Sequence, residues 1–216
     1  MSDMKMKTVE KSKNSNVRKN RGFRLRRRRN WLYVQAVMLF LGLCANAAVV
    51  PNDDVQTLNL SAGWNWIGLT ILPTSHKVGD VLGTAGFTAN DVVQSATGVT
   101  RFNGTSWIPS NFTLEYGKLY QIYVSRAATV TVAGAAGGVA SVPVAAGWNW
   151  VANPKTTAVA PSRLAHSGGW TAGDRIQSTN GTVTYTGSQW VPSAGFTLAP
   201  GKGYQIYSAK AGTISF

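Results

Sequence analysis

The chain has 216 residues and a formal net charge of +13, yet only 13% of its residues are charged, and 23 glycines stand beside 8 tryptophans, 7 tyrosines and 7 phenylalanines. That composition describes a folded protein with a core and excludes a disordered tail. Residues 1–30 hold 12 of the 21 basic side chains and 2 of the 8 acidic ones, so +10 of the charge belongs to a leader and +3 to everything after it. A domain that grips duplex nucleic acid carries Lys and Arg on a folded face, so nucleic acid is not an expected partner.

Within the leader, Arg26-Arg27-Arg28-Arg29 precedes an apolar stretch over 31–48, broken by Gln35, Gly42 and Asn46, and Ala45-Asn46-Ala47 supplies an A-x-A site. These features predict a secretory signal peptide over 1–47, cut after Ala47. The stretch also reaches the lower length limit for crossing a bilayer, so an uncleaved anchor is the alternative and the single route by which the leader meets a membrane. Arg28-Arg29-Asn30-Trp31-Leu32 resembles a twin-arginine export signal with Trp in place of Phe. Leu41-Gly42-Leu43-Cys44 departs from a lipoprotein box at Leu43, where a small residue belongs. Cys44 is the only cysteine, so cleavage after Ala47 leaves a product without disulfides or thiol chemistry. The expected location is extracytoplasmic: secreted, periplasmic or on a bacterial cell surface. A linker over 48–57 follows, and its Asp53-Asp54 lacks the alternating acidic ligands of a calcium loop.

From Leu58 onward the sequence repeats itself at an offset of 83 to 84 residues. Gly63-Trp64-Asn65-Trp66 returns as Gly147-Trp148-Asn149-Trp150, and Tyr120-Gln121-Ile122-Tyr123 as Tyr204-Gln205-Ile206-Tyr207. Asp91, Gln94-Ser95, Trp107 and Pro109 match Asp174, Gln177-Ser178, Trp190 and Pro192. The small residues over 133–138 read as a flexible joint, placing one repeat at 58–138 and the second at 139–216.

In chain order, each repeat opens on a strand, Leu58-Asn59-Leu60 or Val142-Pro143-Val144, before its Trp-Asn-Trp segment. Short helices are expected over 77–82 and 161–166. Asn103-Gly104 between 99–102 and 106–108 signals a type I′ hairpin, and Thr186-Gly187-Ser188 joins its counterpart. Closing strands fall at 120–125 with 129–132 and at 204–208 with 213–216. The fold class is therefore all-β or β-rich: two tandem homologous small β domains, each with at most one short helix, after an N-terminal signal segment.

With its Gly-Trp-Asn openings and the closing Pro200-Gly201-Lys202-Gly203-Tyr204, residues 58–216 resemble the tandem β modules with Gly-Trp-Asn and Gly-x-Gly-Tyr motifs found in bacterial secreted and cell-surface proteins. The first repeat departs from the closing pattern, with Leu119 where Gly is expected. The resemblance implies an extracytoplasmic β module and transfers no catalytic residues.

Chemistry has few carriers here. His76 and His166 are not equivalent in the two repeats, no metal-binding His spacing occurs, and neither a nucleophile elbow nor a phosphate loop is present. The repeated Asp91 and Asp174 stand in a Thr-Ala-x-Asp context that predicts turn capping. No enzyme, cofactor or metal is expected. The aromatic side chains remain, because Trp and Tyr can bind sugar faces or partner side chains. Trp64 and Trp66 share the parity of Leu58 and Leu60, and Trp148 and Trp150 that of Val142 and Val144, which places this Gly63–Trp66 and Gly147–Trp150 motif on the core face. Trp107, Tyr123, Trp190 and Tyr207 are then the candidate ligand-binding residues. The expected function is a non-enzymatic structural or adhesive binding module of the envelope, its partner a polysaccharide or an envelope protein. A carbohydrate-binding accessory module and a small outer-membrane β-barrel are the alternatives.

Overall fold

The computed structural model describes residues 54–138, 141–192 and 194–216. The signal peptide, its anchor alternative, Cys44 and Asp53 lie outside the described residues.

Alternation of buried and exposed positions begins before the repeat does. Strand β1 (Asp54–Leu60) buries Gln56, Leu58 and Leu60 and exposes the residues between them, so residues 54–57 belong to a strand and not to the expected linker. There follow β2 (Gly63–Ile67), β3 (Ile71–Pro73), the single-turn helix α1 (Val78–Leu82), β4 (Val92–Gln94), β5 (Val99–Phe102), β6 (Trp107–Ile108), β7 (Tyr120–Val124) and β8 (Ala128–Ala136). The second half supplies β9 (Ser141–Val144), β10 (Gly147–Ala152), β11 (Ala165–His166), β12 (Arg175–Ser178), β13 (Gly181–Tyr185), β14 (Trp190–Val191), β15 (Gly203–Ser208) and β16 (Gly212–Ser215).

Pairing between the described strands is antiparallel, and every sheet stays within one half. The first half forms a three-stranded sheet β1-β8-β3 and a five-stranded sheet β2-β7-β4-β5-β6; the second forms β11-β16-β9 and β10-β15-β12-β13-β14. The described strands thus make four sheets. Each half fills its own core, one running from Leu58 to Val132 around Leu69, Val93 and Ile122, the other from Val142 to Phe216 around Ile176, Leu198 and Ile206. Both halves nevertheless belong to one compact unit, Val50–Phe216.

Three local expectations are corrected. Residues 133–136 are strand, because β8 lies between β1 and β3; a Cβ on Gly134 would overlap the Leu72 carbonyl, so the small residues serve close backbone approach and not flexibility. Asn103-Gly104 is no type I′ turn. Gly104 alone of the two has positive φ (103°), and Asn103 Oδ1 accepts from the N–H groups of Thr105 (2.9 Å) and Ser106 (2.8 Å), making an Asx-type four-residue loop. Residues 161–166 hold only a 3₁₀ turn, Pro161–Arg163, before β11.

The halves meet through a reciprocal set of contacts. Ile67 bridges Lys202, and Val151 bridges Lys118. The Gly68 N–H donates to Gly201 O at 3.1 Å, and the Ala152 N–H to Gly117 O at 2.9 Å. Exchanging residues 84 apart converts each contact into the other, which is the signature of a closed two-fold interface. Near such an axis a residue faces its own counterpart. A Cβ on Gly68 would overlap that of Ala152, and one on Gly203 would overlap Leu119 Cδ1. Leu119, 1% exposed, fills the space that Gly203 leaves open, so the departure of the first repeat from its closing motif is a packing requirement of the seam.

Candidate functional site

The Gly-Trp-Asn-Trp segment begins at a turn. Gly63 and Gly147 take φ of 97° and 102°, conformations open to glycine. Asn65 locks that turn: its Nδ2 donates to Ser61 O (2.8 Å) and Gly63 O (3.1 Å), and its Oδ1 accepts the Ser61 N–H at 2.9 Å. Asn149 repeats this with Ala145 and Gly147. The turn carries the chain from the three-stranded sheet into the edge of the five-stranded one, so the side-chain phase of β1 does not extend into β2. Trp64 and Trp148 are consequently 54% and 51% exposed, and the expectation of core packing for the motif tryptophans is overturned.

Trp107 and Trp190 show the opposite reversal. They are 2% and 5% exposed, pointing from the short edge strands into the cores. Trp107 packs on Phe87 and Phe102, with ring centroids 4.8 and 5.3 Å away, and its Nε1–H donates to Gly83 O at 2.9 Å. Trp190 packs on Trp170 and Tyr185 at 4.9 and 5.3 Å. Neither can present a ring to a ligand, so both leave the candidate list.

Tyr123 and Tyr207 lie on the outer faces of their sheets. Tyr123 stands opposite Trp64 with ring centroids 5.5 Å apart, and Tyr207 opposite Trp148 at the same distance. Edge-to-face pairs of this kind add about 0.5–1.5 kcal/mol beyond burial, enough to hold an exposed indole in one orientation. Two residues along, Trp66 lies opposite Gln121 and Gln121 opposite Gln94; Trp150, Gln205 and Gln177 repeat the row. These half-exposed positions carry identical residues in both halves, and no core demand accounts for that. The duplicated glutamines were visible in the sequence; their shared face with the tryptophans was not.

The edge tryptophans also wall two clefts of about 580 and 700 Å³. The first sets Trp148 and Trp150 of the second half against Ser95, Thr97, Phe112 and Tyr120 of the first. The second sets Trp64 and Trp66 of the first half against Ser178, Asn180, Phe196 and Tyr204 of the second. Each cleft is thus built by both halves, and the seam's reciprocal contacts relate one cleft to the other. Aromatic rings alternate with hydroxyls and amides; charge is confined to Glu115 and Lys118 in the first cleft and Lys202 in the second.

Buried tyrosines brace the cleft loops. The Glu115 N–H donates to Tyr120 Oη at 2.7 Å and the Ala199 N–H to Tyr204 Oη at 2.6 Å. Burial pushes both phenols up from 10.0 to about 12, against the lowering effect of those N–H donors; the Glu115 charge raises Tyr120 further. Between pH 10 and 12 the unfolded chain loses these protons and the folded chain keeps them, so stability falls as pH rises through that window. Tyr120→Phe combined with Tyr204→Phe should lower stability at pH 8 by about 1 kcal/mol per lost hydrogen bond and flatten the alkaline decline, as read by urea unfolding at each pH.

The remaining polar residues serve the scaffold. Asp91 is fully buried and accepts from the Thr88 and Ser125 N–H groups at 2.8 and 2.9 Å; Asp174 accepts from those of Thr171 and Ala209, both at 2.8 Å. His166 is buried: its Nδ1 accepts the Gly168 N–H at 2.9 Å, which leaves Nε2–H to donate to Ser208 Oγ at 3.1 Å. His76 is exposed, and its Nδ1 meets Leu114 O at 3.1 Å. No family model matches this chain, and neither a curated protein nor a solved structure does.

Proposed function

We propose that this chain is an exported, non-enzymatic binding module of the bacterial envelope, made of two homologous β repeats, and that its two clefts take carbohydrate chains. The observation that carries the reading is the pair of reciprocal clefts, each edged by a braced, exposed tryptophan and lined with hydroxyl and amide groups. A saccharide ring offers an apolar face to stack on an indole and equatorial hydroxyls for Ser, Thr and Asn, which suits this lining better than an extended charged ligand. The repeated Asp residues support a non-catalytic reading, since their oxygens are consumed by backbone donors. Two sites on one molecule would add avidity on a polymeric ligand.

The test is retention of the purified chain on insoluble polysaccharides, with soluble oligosaccharides titrated against intrinsic tryptophan fluorescence. Trp64→Ala and Trp148→Ala should each remove one site and weaken retention about tenfold, consistent with a stacking loss of ~1–1.5 kcal/mol. The double variant should lose retention while keeping its circular dichroism spectrum. Unchanged retention by a folded double variant would reject these residues as the binding surface, and no retention by the unsubstituted chain would favour a protein partner.

A further inference from the structure

The two clefts share most of their walls, and one of the positions at which they differ, Glu115 against Ala199, changes their charge. Tyr120 and Tyr204 accept the N–H groups of Glu115 and Ala199 in the same way, so these two backbones are anchored equivalently. A carboxylate therefore projects at the place in the first cleft where the second has only a methyl group. Lys118 and Lys202, three residues further on, are retained in both. The first cleft holds balanced charge; the second holds a single ammonium.

We infer that the clefts share one ligand class but differ in charge selectivity: the cleft with Lys202 takes an acidic sugar, and the cleft with Glu115 beside Lys118 a neutral one. This rests on the carbohydrate reading above. The lining supports the division further, since Ala96, Thr97 and Val99 of the first cleft are replaced by the more polar Thr179, Asn180 and Thr182 in the second. Hydroxyl and amide donors beside an unopposed ammonium can complete the bonds of a sugar carboxylate. In the first cleft the Lys118 ammonium shares its lining with the Glu115 carboxylate, whose charge repels a sugar carboxylate and offsets the ammonium's attraction.

Calorimetric titration with oligomers of glucuronic and galacturonic acid, each compared with its carboxyl-reduced neutral counterpart, tests the division. In Trp148→Ala, where the Lys202 cleft remains, the acidic oligomer should bind about fivefold tighter than the neutral one at low ionic strength, the preference fading at high salt. Adding Ala199→Glu or Lys202→Gln should abolish that preference. In Trp64→Ala, where the other cleft remains, no acidic preference is expected until Glu115→Ala is added. Equal acidic preference in both clefts, or a preference untouched by Ala199→Glu, overturns the inference and leaves carbohydrate binding standing. Failure of every oligomer to bind the unsubstituted chain overturns both.

Discussion

Gly203→Leu should destabilise the chain by about 3 kcal/mol or more, and Leu119→Gly by about 3–5 kcal/mol, while the double exchange recovers a substantial part of the loss. The single changes fail for opposite reasons. With leucine at both positions two side chains compete for one space at the two-fold seam, because a Cβ on Gly203 already overlaps Leu119 Cδ1 and lies 3.0 Å from Ile67 O. With glycine at both, a cavity replaces a side chain that is 1% exposed. Moving the leucine across the axis restores one side chain to one space, so the non-additivity should exceed 1 kcal/mol. Recovery stays incomplete, since the Ile67 carbonyl must yield to the new Cβ. Urea unfolding followed by circular dichroism reads all three variants, and strictly additive losses would show that the two positions do not share the space.

The second large effect is expected at the paired carboxylates. Asp91→Ala removes the acceptor of two backbone N–H groups and of Thr88 Oγ1 at 3.2 Å, in a site closed to solvent. Each orphaned donor costs about 1–3 kcal/mol, which sums to about 3–5 kcal/mol for the site. Asp174→Ala should lose a comparable amount, because its carboxylate joins the Thr171 turn to the Ala209 turn in the same manner. Asn at either position keeps one acceptor oxygen and should cost about half as much. A loss under 1 kcal/mol in the alanine variants would refute this bracing role; a stable Asn variant that loses glycan retention would point instead to a part in binding.

The capping carboxylates and the repeat were legible in the residues because their causes are local. Asp91 and Asp174 stand in a Thr-Ala-x-Asp context that caps a turn, which follows from a few neighbouring residues. The edge tryptophans were misread because phase counting was carried through Ser61-Ala62-Gly63, where the chain leaves one sheet for another. Trp107 and Trp190 were misread because a two-residue strand has too little alternation to reveal its face.

The sequence by itself determined that this is a β-rich chain with an internal repeat, turn-capping carboxylates and a strongly basic stretch over residues 1–30, since turn geometry and side-chain alternation act over a few residues. The tertiary structure alone decided which tryptophans reach the surface, why Leu119 breaks its motif, and that each cleft draws its walls from both halves. Those features depend on which surfaces meet at a seam whose bridged residues lie 33 and 135 positions apart in the chain, and complementarity across such a seam leaves no periodic mark in either partner.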